Sequence, residues 1–379
     1  MVTFDPYQFS RMRRGVVCVL TGVLLPFFAP AQGVASGKGV SEPDTALRSV
    51  VEYFQKYRQY TRKPDPSPAL LVTKNFTVTL GDSALHLRKR TLNLINPFGP
   101  EKYPLSYSVL YRNRLVSLLA PGSFACFHPE TGQRDTVLEN RLNTRLFSRH
   151  WLLDGRLVGQ SGRRNFQFDP ERGWRKFAGQ VPLGERNKLF EDDTYLVYND
   201  CRGEFGGEVF FYHKRTRKTH AATSVCAVWV RRVSEGYEVL SNLGHMTGHA
   251  YKQLIPNPEA LPVWRQPSKR RTDPRVDAVG AVWPRFNFLG LQIFGGIVWG
   301  NRSIYLLNVA SQTFLATQND QTFAIVDPFF TKDLYAHDPV TTHYPGITLI
   351  NFGRYELGVN YEKTCFLFRE GEVTQILWK

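Results

Sequence analysis

Beyond its first thirty residues the chain has no apolar run approaching the roughly 20 residues that cross a bilayer, and it holds only five cysteines. The first absence argues against a helical membrane protein for the body of the chain. The second argues against a small fold held by a disulfide framework. Several chemical signatures are missing too. No Gly-x-Ser-x-Gly elbow occurs. The glycine-punctuated run GLQIFGGIVWG (290–300) has no Lys-Ser/Thr after it, so it reads as an apolar strand and not a phosphate loop. HMTGH (245–249) lacks the Glu that follows the first His of a zinc protease. On a strand His245 and His249 would stand about 13 Å apart along the rise, too far to share one zinc unless the chain turns between them. No metal and no cofactor are expected, and no nucleic-acid motif is present.

What is present begins with an export signal. Arg11, Arg13 and Arg14 precede the apolar run GVVCVLTGVLLPFFAPA, which ends in Ala29-Pro30-Ala31 before Gln32. The stretch Val16 to Phe28 is about 13 residues and is interrupted by Pro26, too short for an anchor. Residues 1–31 therefore read as a signal peptide, and the mature chain is expected in the periplasm or outside the cell with no transmembrane span. Cleavage removes three basic residues and Asp5, so the formal charge of +15 falls by two. That surplus suits an acidic partner. Of the four cysteines left, Cys201 and Cys226 could bridge neighbouring strands. Cys126 in FACF and Cys365 in TCFLF look like small buried hydrophobes.

After a linker, SEPDTALRSVVEYFQKYRQYTRK reads as a helix, with Leu47, Val50, Val51, Phe54 and Tyr57 at helical spacing and Ser41 or Asp44 to cap it. The linker and helix occupy residues 32–69. From residue 70 to 379 short β runs take over and recur as pairs. RLVSLL (114–119) precedes FACFHPETG (124–132), RLVGQ (156–160) precedes FQFDPERG (166–173), and TYLVYND (194–200) precedes VFFYHKRTRK (209–218). YEVLSN (237–242) precedes AYKQLI (250–255), GIVWG (296–300) precedes SIYLLNVASQ (303–312), and GITLINFG (346–353) precedes TCFLFREGE (364–372). A hairpin cannot bury its apolar face alone, so units repeating every 40–60 residues or so must stack on one another. The expected fold is all-β, a β-propeller of six or seven four-stranded blades, with β-sandwiches as the alternative. The basic, Pro-rich segment 256–280 reads as an insertion between blades, and 320–345 as a shorter excursion in which His337 and His343 are surface loop residues. Residues 77–95 supply strands for a further blade or for closing the ring against EVTQILWK.

The FACFHPETG and FQFDPERG runs resemble strands of kelch-like and quinoprotein-like propeller blades. The stretch DCRGEFGG, with LSNLGHMTGHAYKQLI one blade later, also resembles a family of exported bacterial proteins of uncharacterised function. That family carries Asp-x-Gly-Glu-aromatic-Gly-Gly and an aliphatic-x-His-aliphatic segment, matched here by Asp200, Gly203, Glu204, Phe205, Gly206, Gly207 and His245. This chain departs from the motif by placing two residues, Cys201 and Arg202, between Asp200 and Gly203. The resemblance implies a propeller and no particular activity.

Candidate ligand-binding residues follow from the same stretch. Asp200, Glu204 and Glu208 surround three glycines in one loop, and His245 or His249 from the next blade could meet them at the mouth of the ring. The structural alternative is that these acids accept backbone N–H groups or pair with an arginine. Two functions fit. One is a non-catalytic binding or scaffold propeller that recognises a protein or glycan. The other is a polysaccharide hydrolase or lyase using a carboxylate pair, which rests on analogy between folds alone.

Overall fold

The structure, a computed structural model, describes residues 42–379 apart from 61–68, 180, 245–247, 266–279, 301, 331–333, 335 and 356–360. The signal peptide, the linker up to residue 41, His245 and most of the Pro-rich insertion lie outside the described residues. Among those described, no helix is long and apolar enough to cross a membrane.

The helix α1 runs Glu42–Tyr60, followed by β1 (Leu71–Val72), β2 (Thr77–Leu80) and β3 (Arg88–Leu94). Six antiparallel sheets then succeed one another. Blade one is β4 (Val109–Tyr111), β5 (Arg114–Leu119) and β6 (Ser123–Phe127), with α2 (Thr136–Leu142) beside it. Blade two is β7 (Arg149–Leu153), β8 (Arg156–Ser161), β9 (Arg164–Asp169) and β10 (Gly173–Lys176). Blade three is β11 (Lys188–Glu191), β12 (Tyr195–Cys201), β13 (Gly207–His213) and β14 (Thr219–Thr223). Blade four is β15 (Ala227–Val233), β16 (Gly236–Leu243), β17 (His249–Ile255) and β18 (Trp283–Leu289). Blade five is β19 (Gln292–Trp299), β20 (Arg302–Val309), β21 (Gln312–Asn319) and β22 (Thr322–Pro328). Blade six is β23 (Ala336–Tyr344), β24 (Ile347–Tyr355), β25 (Tyr361–Arg369) and β26 (Glu372–Trp378).

The sequence pattern explains why these sheets form a ring. Strands in the middle of a blade are buried on both faces, so they read as unbroken apolar runs. In β13, Val209 and Phe211 enter the core shared with blade four, while Phe210 and Tyr212 enter the core shared with blade two. In β20, Tyr305 and Leu307 face blade four, and Ile304 and Leu306 face blade six. Each pair of neighbouring blades encloses one such core, including the pair formed by blades six and one, where Leu349 and Leu367 meet Leu115 and Leu119. Six sheets joined by six cores make a closed six-blade propeller. This leaves no place for a seventh blade or for facing sandwiches.

The blades depart from four strands at both ends of the chain. Blade one has three, and α2 stands where the fourth would be. Its side chains do the work of a strand edge: Glu139 Oε1 accepts the Cys126 N–H at 2.9 Å and Asn143 Oδ1 accepts the Phe124 N–H at 2.7 Å. Asp135 starts this helix by accepting the Leu138 N–H. At the other end β2 adds in parallel to β22, and β3 adds in parallel to β26. Residues 77–95 thus extend the last two blades and make no blade of their own. Helix α1 packs Val50 and Phe54 into the core between blades four and five.

Two sequence expectations need correction, and one pair sits differently in its blade from the others. GIVWG with SIYLLNVASQ forms the first and second strands, whereas the other pairs are second and third. The Pro-rich insertion lies within blade four, between its third and fourth strands, and its described part lines the edge of blade three. There the Ala221 N–H donates to Pro262 O and the Trp264 N–H to Thr219 O. The excursion 320–345 holds β22 and β23, so His337 and His343 belong to the first strand of blade six.

The innermost strands close the middle of the ring, with β23 touching β11, β15 and β19. The Gly295-Gly296 pair of β19 permits this approach. A Cβ on Gly295 would stand 2.3 Å from Thr341 Oγ1, and one on Gly296 2.0 Å from Cζ3 of Trp229. The Trp229 indole N–H, from blade four, donates to His343 Nε2 of blade six at 2.6 Å. Since an indole can only donate, that nitrogen of His343 carries no proton.

Candidate functional site at the ring centre

The acidic loop joins β12 to β13 through a 3-10 turn, Gly203–Phe205. Gly203 and Gly206 hold φ of 60° and 103°, where a side chain would be strained. Gly207 has another reason, since a Cβ there would stand 2.2 Å from the Asp200 carbonyl oxygen. The loop is fastened by a disulfide between Cys201 and Cys226, which ties the end of β12 to the start of blade four.

Within this loop Arg202 gathers two of the three acids. Its guanidinium bonds Glu208 Oε1 at 2.7 Å and lies 3.9 Å from Asp200 Oδ2. Asp200 and Glu208 are direct cross-strand partners, so one arginine serves both. Glu204 and Phe205 stand on the exposed crest of the turn, Phe205 with 82% of its surface free. His249 turns to its own blade, with Nε2 at 2.5 Å from Asn287 Oδ1 and its ring against Tyr251. His245 lies outside the described residues.

Asp200 leads from this loop to a residue that the sequence pattern did not single out. Asp338 sits in a bulge of β23, where the register shifts between His337 and Val340, with a φ of 43°. Such a bulge re-aims a side chain out of its sheet. The Asn187 carboxamide donates to Asp338 Oδ2 at 3.0 Å, and the Tyr107 hydroxyl donates to the Asp338 carbonyl at 2.6 Å. Oδ1 is buried and has no hydrogen-bond partner. Burial pushes the Asp338 carboxyl up to about 6, Asn199 and Asn187 hold it down, and the negative charge of Asp200 pushes it further up. Nearby Lys363 is drawn down to about 8 by burial and by Arg149, and its ammonium donates to the Leu105 carbonyl.

Beside this group a cavity of about 40 Å³ is lined by Ser106, Tyr107, Arg149, His150, Asn187 and Lys188, among others. That volume holds about three waters, far less than a sugar ring. His150 is a satisfied core residue. Its Nε2–H donates to the Val116 carbonyl at 3.2 Å, its Nδ1 meets Ser106 Oγ at 2.8 Å, and burial draws it down to about 4. Lys188 is buried against Glu191 at 2.9 Å.

A buried carboxylate with one idle oxygen costs stability once ionised. An ordinary aspartate releases its proton near 3.8 and Asp338 near 6. Below about pH 4 folded and unfolded chains both keep the proton, and no penalty exists. As pH rises to 6 the unfolded chain ionises first, and folding loses roughly 2–3 kcal/mol, a loss that persists above pH 6. Asp338→Asn is therefore expected to raise the thermal midpoint at pH 7.5 and leave it nearly unchanged near pH 3. An equal gain at both pH values would trace the effect to packing instead of the proton.

No protein-family model matches the chain, and no curated protein matches it. Among solved structures it is similar to the computationally designed Ika8 protein, with 8% identity over 75% of this chain and 89% of that one and a TM-score of 0.37. It is similar to the N-terminal domain of Nup159, with 8% identity over 77% and 85% and a TM-score of 0.34. It is also similar to BamB from Moraxella catarrhalis, with 10% identity over 68% and 71% and a TM-score of 0.33. Likenesses this distant say nothing about a ligand. The six-blade ring stands on its own strand order and inter-blade cores.

Proposed function

We propose that this chain is an exported, non-catalytic binding or scaffold propeller that holds a protein or glycan partner on its outer surfaces. The observation that carries this reading is the closed ring centre. The cavity beside Asp338 has room for about three waters, and Arg202 engages both Asp200 and Glu208. A hydrolase or lyase would need an acid and a base carboxylate facing a sugar across open space, and among the described residues the cavity beside Asp338 is too small for a sugar ring. The Cys201–Cys226 disulfide supports export, because such bonds persist in oxidising compartments. The match of residues 200–207 to the exported bacterial motif agrees with that placement.

Two measurements test the reading. A thermal-shift screen with glycans and cell-wall fragments is expected to reveal a partner that raises the midpoint of the wild type and of Glu204→Gln equally, with the polysaccharides left intact. Cleavage products that vanish in Glu204→Gln would replace binding with catalysis. Expression of the full chain in an exporting bacterium, followed by N-terminal sequencing, is expected to read from Gln32. A chain kept whole in the cytosol would overturn export.

A further inference from the structure

Across the described part of the ring, a number of cations sit against carboxylates. Arg114 meets Asp135, Arg134 meets Glu139, Arg149 meets Glu185 and Arg231 meets Glu238. Around blade two a group of cations has no such partner and lies along one face of the sheet. The Arg145 guanidinium lies over the Phe166 ring, 4.0 Å from its centroid, and its Nε is buried with no hydrogen-bond partner. Phe166 is the direct cross-strand partner of Lys176, so their side chains share one side of the sheet. Arg164, two residues before Phe166, shares that side too. Arg163 is its neighbour in the exposed turn between β8 and β9. Arg141 extends the row by lying over Phe168, 5.9 Å from its centroid, about 7 Å further along the strand. Apart from these ring contacts, no carboxylate pairs with any of these side chains among the described residues.

A guanidinium held over an aromatic ring has already given up much of its rotational freedom, and its N–H donors share one plane. With no carboxylate paired to its side chains, the row keeps a positive potential along an edge of blade two. Several cations in a line fit a chain of negative groups better than a single ion. We propose that this row binds an anionic polysaccharide, of the sulfated or uronic-acid type, with Arg145 as the anchor. The assignment rests on the binding function proposed above and names the class of partner.

The test uses the mature chain with heparin and polygalacturonate as probes, and oligo(dT) as a nucleic-acid control, across a range of salt. The wild type is expected to bind at least one polysaccharide with an affinity that falls as salt rises. Arg145→Gln with Arg164→Gln should weaken it about tenfold or more. Arg215→Gln with Lys218→Gln removes the same charge from an exposed turn of blade three, and should change it by about twofold or less. Because Arg145 touches a core ring, Arg163→Gln with Arg164→Gln provides a second variant confined to the turn. Its expected result is a clear loss of binding at an unchanged thermal midpoint. Equal weakening by the blade-two and blade-three pairs would overturn the proposal, and so would oligo(dT) binding as tightly through the same residues. If no polysaccharide binds while the thermal-shift screen finds another partner, this site fails and the binding function stands.

Discussion

Gly296→Ala is expected to destabilise the ring by about 3 kcal/mol, the upper end of what overpacking usually costs. The added methyl would stand 2.0 Å from Cζ3 and 2.3 Å from Cε3 of Trp229. The indole has nowhere to go. It is fully enclosed, meets Tyr305 edge-on at 6.0 Å, and is held through its N–H by His343. Moving it would also break the bond that links blades four and six across β19. A double-mutant cycle isolates the clash, since Gly296→Ala should cost less in a Trp229→Leu background than in the wild type. Equal cost in both backgrounds would place the strain elsewhere.

Loss of the disulfide should cost about as much. Cys201 and Cys226 are 25 residues apart, and opening a loop of that size is worth roughly 3 kcal/mol through the unfolded chain. Reductant, or the pair Cys201→Ser with Cys226→Ser, is expected to lower the thermal midpoint by the same amount. Adding reductant to the double variant should then do nothing more. Cys126 and Cys365 are buried, with burial pushing both thiols up, so neither should respond to mild oxidants. A reductant effect that survives the double substitution would assign redox sensitivity to those two residues.

The fold was legible wherever a strand is buried on both faces. VFFY, IYLL and RLVSLL announce themselves because both sides of each strand meet a neighbouring blade. The innermost strands hide, since they face other innermost strands around a partly polar centre. AHDPVTTHY, the β23 sequence, carries Asp, Pro and two His, so it reads as an excursion. Nothing in that stretch marks Asp338 as a core residue. The spacing of the second strands did hold a clue, because each needs a first strand ahead of it, and 320–345 was the gap left to supply one for blade six. In blade five the first strand is itself largely apolar, so the apolar pair in that blade begins one strand earlier than in the others. Helix α2 leaves no periodic signal because its seven residues hold less than two full turns. The acidic loop was visible through its glycines, and Asp200 does lie close to the hub. Its companions there, Tyr107, Asn187, Asp338 and Lys363, come from distant parts of the chain, so no local motif could join them.

The pairing of β2 with β22 and of β3 with β26 has a consequence for timing. The earliest strands to be synthesised wait for partners made much later, β2 for β22 of blade five and β3 for β26 of blade six. Contacts so remote along the chain are slow to form. If the chain is exported as proposed, this order of assembly would postpone completion of the ring until after passage through a membrane channel.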